Sequence, residues 1–167
     1  MDQDLRSIKV NCCQVALALA ALAFMQSCKP LGLHATRVTT PGMEPTIEKG
    51  EVVTWFELDD AGRAKLQSGS IVVFKAPDDP EKIRVKRIVA VEGNSLEIRD
   101  STLYVNDEPV RSPYGHRPGA RSAENIPRVE IPMGTVFVMG DNWDSSLDSR
   151  RFGPIPIDSI VGKLLRE

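Results

Sequence analysis

The sequence predicts one all-β domain of antiparallel strands, preceded by a hydrophobic N-terminal segment. From Ala35 onward, short runs of β-branched residues alternate with turn-forming residues, and the 167-residue chain contains 12 Gly and 12 Pro. Apolar and polar positions that alternate between such turns are typical of half-buried strands. A chain of this length can bury one core. We therefore expect a single domain over residues 35–167.

Residues 1–34 are predicted to direct the protein to a membrane. The uninterrupted apolar run from Val15 to Met25 is shorter than the ~20 residues that a spanning helix needs, and it has the length of a signal-peptide hydrophobic region. The letters "MQSC", ending at Cys28, resemble a bacterial lipoprotein cleavage box. The segment is interpreted as a signal anchor or a lipoprotein-type signal, with a buried soluble helix as the third alternative.

The strands of the domain are expected to follow one another through short turns. Seven runs carry the pattern: "GEVVTWF", "GSIVVFKA", "IRVKRIVAVEG", "SLEIRD", "TLYVNDEPV", "GTVFVMGDN" and "DSIVGKLL". The run "SLEIRDSTLYVNDEPV" predicts a hairpin that turns at "RDST", with "VNDEPV" ending the return strand. Residues 111–128 are rich in Pro, Gly and Arg and predict an exposed loop. A short helix is expected at 59–67.

The amino-acid composition limits the kinds of binding and catalysis that are expected of this chain. The net charge is -2, no basic tract occurs, and aromatic residues make up 5% of the chain, so nucleic acid is not an expected partner. Two histidines and three cysteines, all three cysteines before residue 30, provide little for a metal site, and no cofactor is expected. Catalysis in this domain would have to use hydroxyls, amines and carboxylates.

Three segments are candidates for a site. The first is "PGMEPT", in which Pro41 and Pro45 stiffen the backbone around Met43, a candidate for packing or for substrate contact. The alternative is an ordinary loop that enters a strand.

The second segment is the strand around Lys86. Strand geometry places Lys86, Ile88 and Ala90 on one face. A lysine among apolar neighbours would lose hydration, which lowers its pKa and makes the neutral amine available as a base. The alternative is a lysine on a solvated sheet edge.

The third segment, "GDNWDSSLDSRRFG", follows an apolar strand and is dense in polar residues, as functional loops often are. Asp148 and Arg150 are spaced to form an ion pair. The acidic residues do not match a calcium-binding loop. The alternative is a solvated turn.

Together, in this order, the three segments resemble the type I signal peptidases, which use a Ser/Lys dyad. The family's first box, Ser-Met-x-Pro-Thr, is similar to residues 42–46, and its lysine-arginine strand is similar to residues 86–93. Its third box, Gly-Asp-Asn-x-x-x-Ser-x-Asp-Ser-Arg, is matched at residues 140–150. The resemblance covers roughly residues 36–165. It implies an antiparallel β-sheet or barrel core, a small inserted hairpin and loop region at 95–130, and a membrane anchor.

The resemblance also implies roles for the matching residues of the site. Lys86 matches the general base, Ser146 the serine that orients the lysine amine, and Thr40 a hydroxyl that helps to bind the oxyanion. The N–H group of Gly42 would be the second oxyanion donor.

Other matching residues have supporting roles by the same resemblance. Met43 and Pro45 would shape the groove for an extended substrate with small residues before the cleaved bond. The remaining matches are structural: Asp148 and Arg150 as an ion pair, with Gly140, Asp141 and Asn142.

Two positions depart from the family pattern. Trp143 replaces an Arg of many members, in a variable part of the box. Gly42 occupies the position of the nucleophilic serine, and glycine has no oxygen with which to attack a peptide carbonyl.

Gly42 leaves several functions open. The chain is predicted to be a signal peptidase homologue that is catalytically impaired and binds extended, small-residue peptides. Alternatives are an active peptidase, for signal peptides or conjugation pilins, with Thr40, Thr39 or Ser146 as displaced nucleophile; an engineered Ser→Gly replacement; and a non-enzymatic binding protein at the membrane surface. Self-cleaving repressors share the dyad, but residues 1–35 contain no helix-turn-helix pattern.

The resemblance implies partners and a location as well. Preprotein signal peptides or other extended peptides and membrane lipid are the expected partners. The location would be the bacterial cytoplasmic membrane, with the domain on its extracytoplasmic side.

Overall fold

A computed structural model describes residues 32–110 and 125–165 of the chain. This part consists mainly of antiparallel strands in two sheets, which confirms the predicted all-β class. The described residues from Leu33 onward belong to one compact unit. The first strand starts at Leu33, within the segment 1–34 that was assigned to an anchor. The rest of that segment, including Cys28, lies outside the described residues.

The larger sheet has seven strands and the smaller sheet four. In chain order the strands are β1 (Leu33–Arg37), β2 (Val52–Glu57), β3 (Ile71–Ala76), β4 (Asp79–Val91), β5 (Ser95–Arg99), β6 (Thr102–Val105), β7 (Glu108–Pro109), β8 (Ile126–Glu130), β9 (Thr135–Met139), β10 (Ile155–Pro156) and β11 (Ile160–Leu164). The larger sheet has the order β1-β2-β11-β3-β4-β9-β10, and the smaller one β7-β6-β5-β8.

Strand β3 forms the centre of the larger sheet and is buried on both faces. Ile71 and Val73 belong to one apolar cluster, together with Trp55 of β2, whereas Val72 and Phe74 belong to a second. Successive side chains of a strand point to opposite faces, so a continuous apolar run such as "IVVF" supplies two cores at once.

The smaller sheet is built on the predicted hairpin. Strands β5 and β6 pair from Leu96–Val105 to Arg99–Thr102, and Asp100 and Ser101 turn with φ values of 48° and 59°. The expected ending of the return strand at "VNDEPV" is wrong, because a second turn at Asn106 and Asp107 starts β7. Short polar side chains tolerate this left-handed backbone.

The loop predicted at 111–128 is partly outside the described residues, which resume at Asn125. The prediction of a loop is wrong for its last residues, since Ile126–Glu130 forms β8 and pairs with β5. The sequence does not predict this strand because it contains Pro127. The strand lies at a sheet edge, where proline is tolerated.

Helices are short in the described residues. The one expected at 59–67 is confirmed as α1 (Asp60–Arg63), where the Asp59 carboxylate accepts a hydrogen bond from the Gly62 N–H. A second helix, α2 (Ser149–Phe152), follows the polar loop after β9. Within residues 32–110 and 125–165, no helix has the length and apolar character to cross a membrane.

The fold brings the three candidate segments together. Strand β4 pairs with β3 along its first half and with β9 along its second half, where Arg87 lies opposite Met139. The polar loop that leaves β9 at Gly140 therefore begins beside Lys86. A 3-10 turn at Pro41–Met43 contacts a second 3-10 turn at Trp143–Ser145 of that loop.

Candidate active site

The turn that contains Gly42 is held against the polar loop by two hydrogen bonds from Asn142. The Gly42 carbonyl accepts from the Asn142 N–H at 3.1 Å, and the Asn142 side-chain amide donates to the Pro41 carbonyl at 3.1 Å. Gly42 and Met43 are buried. Asn142 thus joins the polar loop to the turn at Pro41–Met43.

Gly140 allows this close approach. A β-carbon at this position would overlap the Gly42 carbonyl oxygen and the Ser146 hydroxyl. Real β-carbons do not approach backbone oxygens so closely, so a larger residue would push the two segments apart. The match of Gly140 to the family box therefore has a steric reason in this chain.

Lys86 is buried and faces the same point. Its side chain is 5% exposed, and Nζ donates to the Val85 carbonyl at 3.1 Å. Burial lowers the pKa of Lys86 from 10.5 to about 8, while the nearby Asp148 carboxylate acts in the opposite direction and Arg84 lowers the pKa further. The alternative of a solvated edge lysine is therefore wrong, and the neutral amine becomes available at a pH well below the ordinary pKa of a lysine.

The Lys86 amine points at the position where residue 42 would carry a side chain. A β-carbon built on Gly42 would lie 3.1 Å from Lys86 Nζ and 3.3 Å from the Ser145 carbonyl oxygen. A hydroxyl on such a carbon would be within reach of the amine, in the geometry of a nucleophile and its base. Glycine leaves the amine facing a backbone without a side chain.

Ser146 lies next to this point but makes no hydrogen bond with its hydroxyl in the described part of the chain. Its side chain packs against Gly140, and the Lys86 amine donates to Val85 instead. That Ser146 orients the lysine remains a prediction.

A buried ion pair joins all three segments. The Arg87 guanidinium binds the Asp141 carboxylate through two hydrogen bonds of 3.0 and 2.9 Å, and the Thr46 hydroxyl donates to the same carboxylate at 2.5 Å. Both charged side chains are at most 7% exposed. Bidentate pairs of this kind fix geometry as well as charge.

The sequence missed the partners of this ion pair. Asp141 was predicted to be structural, but Arg87 and Thr46 were not assigned to it. The available signal was the presence of Arg87 inside an apolar strand, where an arginine needs a partner.

Asp148 and Arg150 form the ion pair that their spacing predicted. Arg150 donates to Asp148 at 2.8 Å from Nε and at 2.9 Å from Nη2. The fully buried carboxylate also accepts from the Gly140 N–H at 2.9 Å, and Arg150 donates to the Trp143 carbonyl. This pair fixes the loop that carries Ser146.

The three remaining candidates of the first box differ in exposure. Thr40 is exposed and lines a groove next to Lys86. Pro45 is exposed as well. Met43 is 1% exposed and packs in the core with Ile47, which agrees with the packing role that was one of its two expected roles. The substrate-binding roles of Met43 and Pro45 remain predictions.

The groove has a volume of about 340 Å³ and runs between residues 36–40 and residues 82–86. Ser145 and Leu147 of the polar loop line it as well. Lys86 is also among its lining residues, and Gly42 lies next to the end of that side chain. The described residues contain no cluster of three or more His, Cys, Asp or Glu side chains that could hold a metal ion.

Comparison with known proteins identifies the family. The family model described as "Signal peptidase, peptidase S26" matches residues 9–166. The chain belongs to this family.

Individual signal peptidases match the same region. Signal peptidase IB of Staphylococcus aureus is 34% identical over 137 residues, which are 73% of this chain and 70% of that protein. Thylakoidal processing peptidase 1 of Arabidopsis thaliana, a chloroplastic protein, is 37% identical over 136 residues, which are 75% of this chain. The chain spans 39% of the length of that plant peptidase.

A solved signal peptidase has a similar fold. The crystal structure of signal peptidase I from Enterococcus faecalis superposes with a TM-score of 0.54 at 28% identity, and the match covers 60% of this chain and 97% of the other. The antiparallel β fold is therefore shared with an experimentally determined signal peptidase.

Proposed function

We propose that this signal peptidase homologue binds extended peptides with small residues in the groove beside Lys86 and is impaired in cleaving them. The supporting observation is the position of Gly42, whose added β-carbon would lie 3.1 Å from Lys86 Nζ. In this proposal Lys86 keeps the role of general base next to a residue that has no attacking atom.

The walls of the groove suit an extended peptide. Within the part of the chain that the structure describes, residues 83–86 of β4 form strand pairs only with β3. Strand β1 likewise pairs only with β2 there. Each wall therefore presents a strand edge to the groove. A peptide that adds to such an edge gains main-chain hydrogen bonds, and side-chain pockets provide specificity.

The loss of the hydroxyl accounts for the impairment. Acylation requires an oxygen that attacks the carbonyl while a base takes its proton. Removing the nucleophile of a serine peptidase reduces kcat by roughly a millionfold, and the oxyanion site and substrate binding retain a much smaller rate enhancement.

Binding and cleavage can be measured on one preparation of the full chain in detergent. A fluorescent peptide that spans an Ala-x-Ala site should bind, as followed by anisotropy, and a preprotein should remain uncut over hours. Cleavage at rates typical of the family would contradict the impairment, and absence of any peptide binding would contradict the binding function.

An active peptidase with a displaced nucleophile is the second candidate. The observation that favours it is that Thr40 lines the same groove as Lys86. If Thr40 attacks and Lys86 is its base, Thr40→Ala and Lys86→Ala each abolish cleavage. Activity that persists in either variant rules out this mechanism.

We also propose that residues 1–34 anchor the domain at a membrane. The apolar run from Val15 to Met25 motivates this. The full chain should remain in the membrane pellet after alkaline extraction, whereas a chain that starts at Leu33 should not. Release of the full chain by alkali contradicts an anchor that is inserted in the bilayer.

A further inference from the structure

Within residues 32–110 and 125–165, the buried Lys86 amine has no carboxylate of its own. Its hydrogen-bond partner there is the Val85 carbonyl. The two nearby carboxylates are each bound by an arginine: Asp141 by Arg87 and Asp148 by Arg150. A buried cation without a dedicated counter-ion favours the approach of an anion.

The groove around this amine is positively charged. In the described part of the chain, its lining residues include four cations and no acidic side chain: Arg37, Lys82, Arg84 and Lys86. Lys82 and Arg84 are paired with Asp79 and Asp78, at 2.8 Å in both cases. Lys86 differs from these two because it is buried.

Gly42 leaves the space next to Lys86 Nζ without a side chain. A serine at this position would place its hydroxyl near the amine, since even its β-carbon would lie 3.1 Å away. With glycine, the residue at this position has no side chain that could block the amine. The exposed Thr40 lines the same groove and supplies a hydroxyl donor for an anion.

We propose that the groove preferentially binds peptides that end beside Gly42, with their C-terminal carboxylate paired to Lys86. This inference rests on the proposed peptide-binding function and specifies its ligand. A carboxylate bound to an ammonium group forms a charge-assisted hydrogen bond, which is about twice as strong as a neutral one. An uninterrupted peptide offers only a neutral carbonyl at the same point. The ligands would be products of a peptidase that cuts after a small residue.

The test compares three peptides of one sequence that contains Ala-x-Ala. The first ends there as the free acid, the second ends there as the amide, and the third continues for five more residues. Binding of each labelled peptide to the full chain in detergent is measured by anisotropy. We expect the acid to bind about tenfold tighter than the other two, which is the effect of one good charged contact.

Substitutions test whether Lys86 is the group that binds the peptide carboxylate. Lys86→Met should remove the preference for the acid, and Gly42→Ser should weaken acid binding because the hydroxyl occupies the approach to the amine. Lys75→Met is the matched control, since Lys75 is exposed on the neighbouring strand β3 outside the groove. Circular dichroism of each variant confirms folding, and Lys86→Gln replaces Lys86→Met if the latter does not fold.

Each contrary outcome has a distinct meaning. If the acid and the continued peptide bind equally well, the carboxylate inference is wrong and the proposed function stands. If the preference for the acid persists in Lys86→Met, Lys86 is not the receptor and the inference is also wrong. If none of the three peptides binds, the inference and the proposed peptide-binding function both fail.

Discussion

The Lys86 amine lies opposite Gly42 in this structure, 3.1 Å from where a β-carbon of residue 42 would be. The lysine is buried, and its pKa is lowered to about 8 by desolvation. These are the properties of a general base beside a nucleophile. The site therefore combines a buried amine with a residue that has no side chain.

Gly42→Ser is expected to create a preprotein-cleaving enzyme. The new hydroxyl would be within reach of Lys86, and the terminal amine can shift to accommodate the added β-carbon. We expect cleavage to increase by roughly 10⁴-fold or more, because loss of a nucleophile reduces kcat by up to about a millionfold. The measurement is the initial rate of preprotein cleavage in detergent.

Gly42→Ala is the matched control for this gain. It adds the same β-carbon without an oxygen, so cleavage should stay at the level of the unchanged chain. Lys86→Met in the Gly42→Ser background should remove the gain. If Gly42→Ser remains inactive while folded, the lysine or the groove is also defective for catalysis.

Lys86 should make stability depend on pH above neutrality. Its pKa is about 8 in the folded chain, whereas the ordinary value for a lysine is 10.5. The unfolded chain therefore binds more protons between these values, and folding is favoured as pH rises. The penalty of the buried charge is fully present below about pH 8 and disappears as pH approaches 10.5. Its size is at most about 3 kcal/mol.

Lys86→Met tests this dependence. The variant should be more stable than the unchanged chain at pH 7, and the difference should shrink between pH 8 and 10.5. Urea unfolding followed by fluorescence at several pH values measures it, with Lys75→Met as the exposed control. A difference that is constant over this range would show that desolvation of the charge is not responsible.

Asp148→Asn should destabilise the domain by about 3 kcal/mol. The substitution leaves the Arg150 guanidinium, 14% exposed, without its counter-ion, and unpaired buried charges cost about this much. Asp144→Asn in the same loop is the control, because Asp144 is exposed and surface changes have small effects. Equal unfolding midpoints for the two variants in urea would contradict the structural role of Asp148.

Gly140→Ala should disrupt the site more than Gly42→Ala does. The methyl group at 140 would overlap the Gly42 carbonyl and Ser146, and overpacking of this kind costs roughly 1–3 kcal/mol. The methyl group at 42 would lie at longer distances, 3.1 Å from Lys86 Nζ and 3.3 Å from the Ser145 carbonyl oxygen. Unfolding in urea and anisotropy with the Ala-x-Ala peptide should both show this difference. Similar values for the two variants would mean that the contact at Gly140 is easily relieved.

The seven strands that the sequence predicted were confirmed, and the four that it missed lie at sheet edges. β1 and β10 end the larger sheet, and β7 and β8 end the smaller one. Central strands such as β3 are buried between neighbouring strands and must be apolar. Such an apolar run can be recognised in the amino-acid sequence. An edge strand is held by hydrogen bonds on one side and tolerates proline and polar residues.

The two ion pairs of the site also differ in whether the sequence predicted them. The Asp148–Arg150 pair joins residues two positions apart, so local spacing was sufficient to predict it. The pair between Arg87 and Asp141 joins residues 54 positions apart, and its formation depends on the pairing of β4 with β9. No local pattern contains that information.

By itself, the sequence determined the β class, the central strands, the order of the three boxes and the absence of a hydroxyl at Gly42. The tertiary structure decided that Lys86 is buried with a lowered pKa, that its amine faces Gly42, and that Met43 packs in the core. Burial and desolvation depend on which distant residues surround a side chain, and only the folded chain specifies those neighbours.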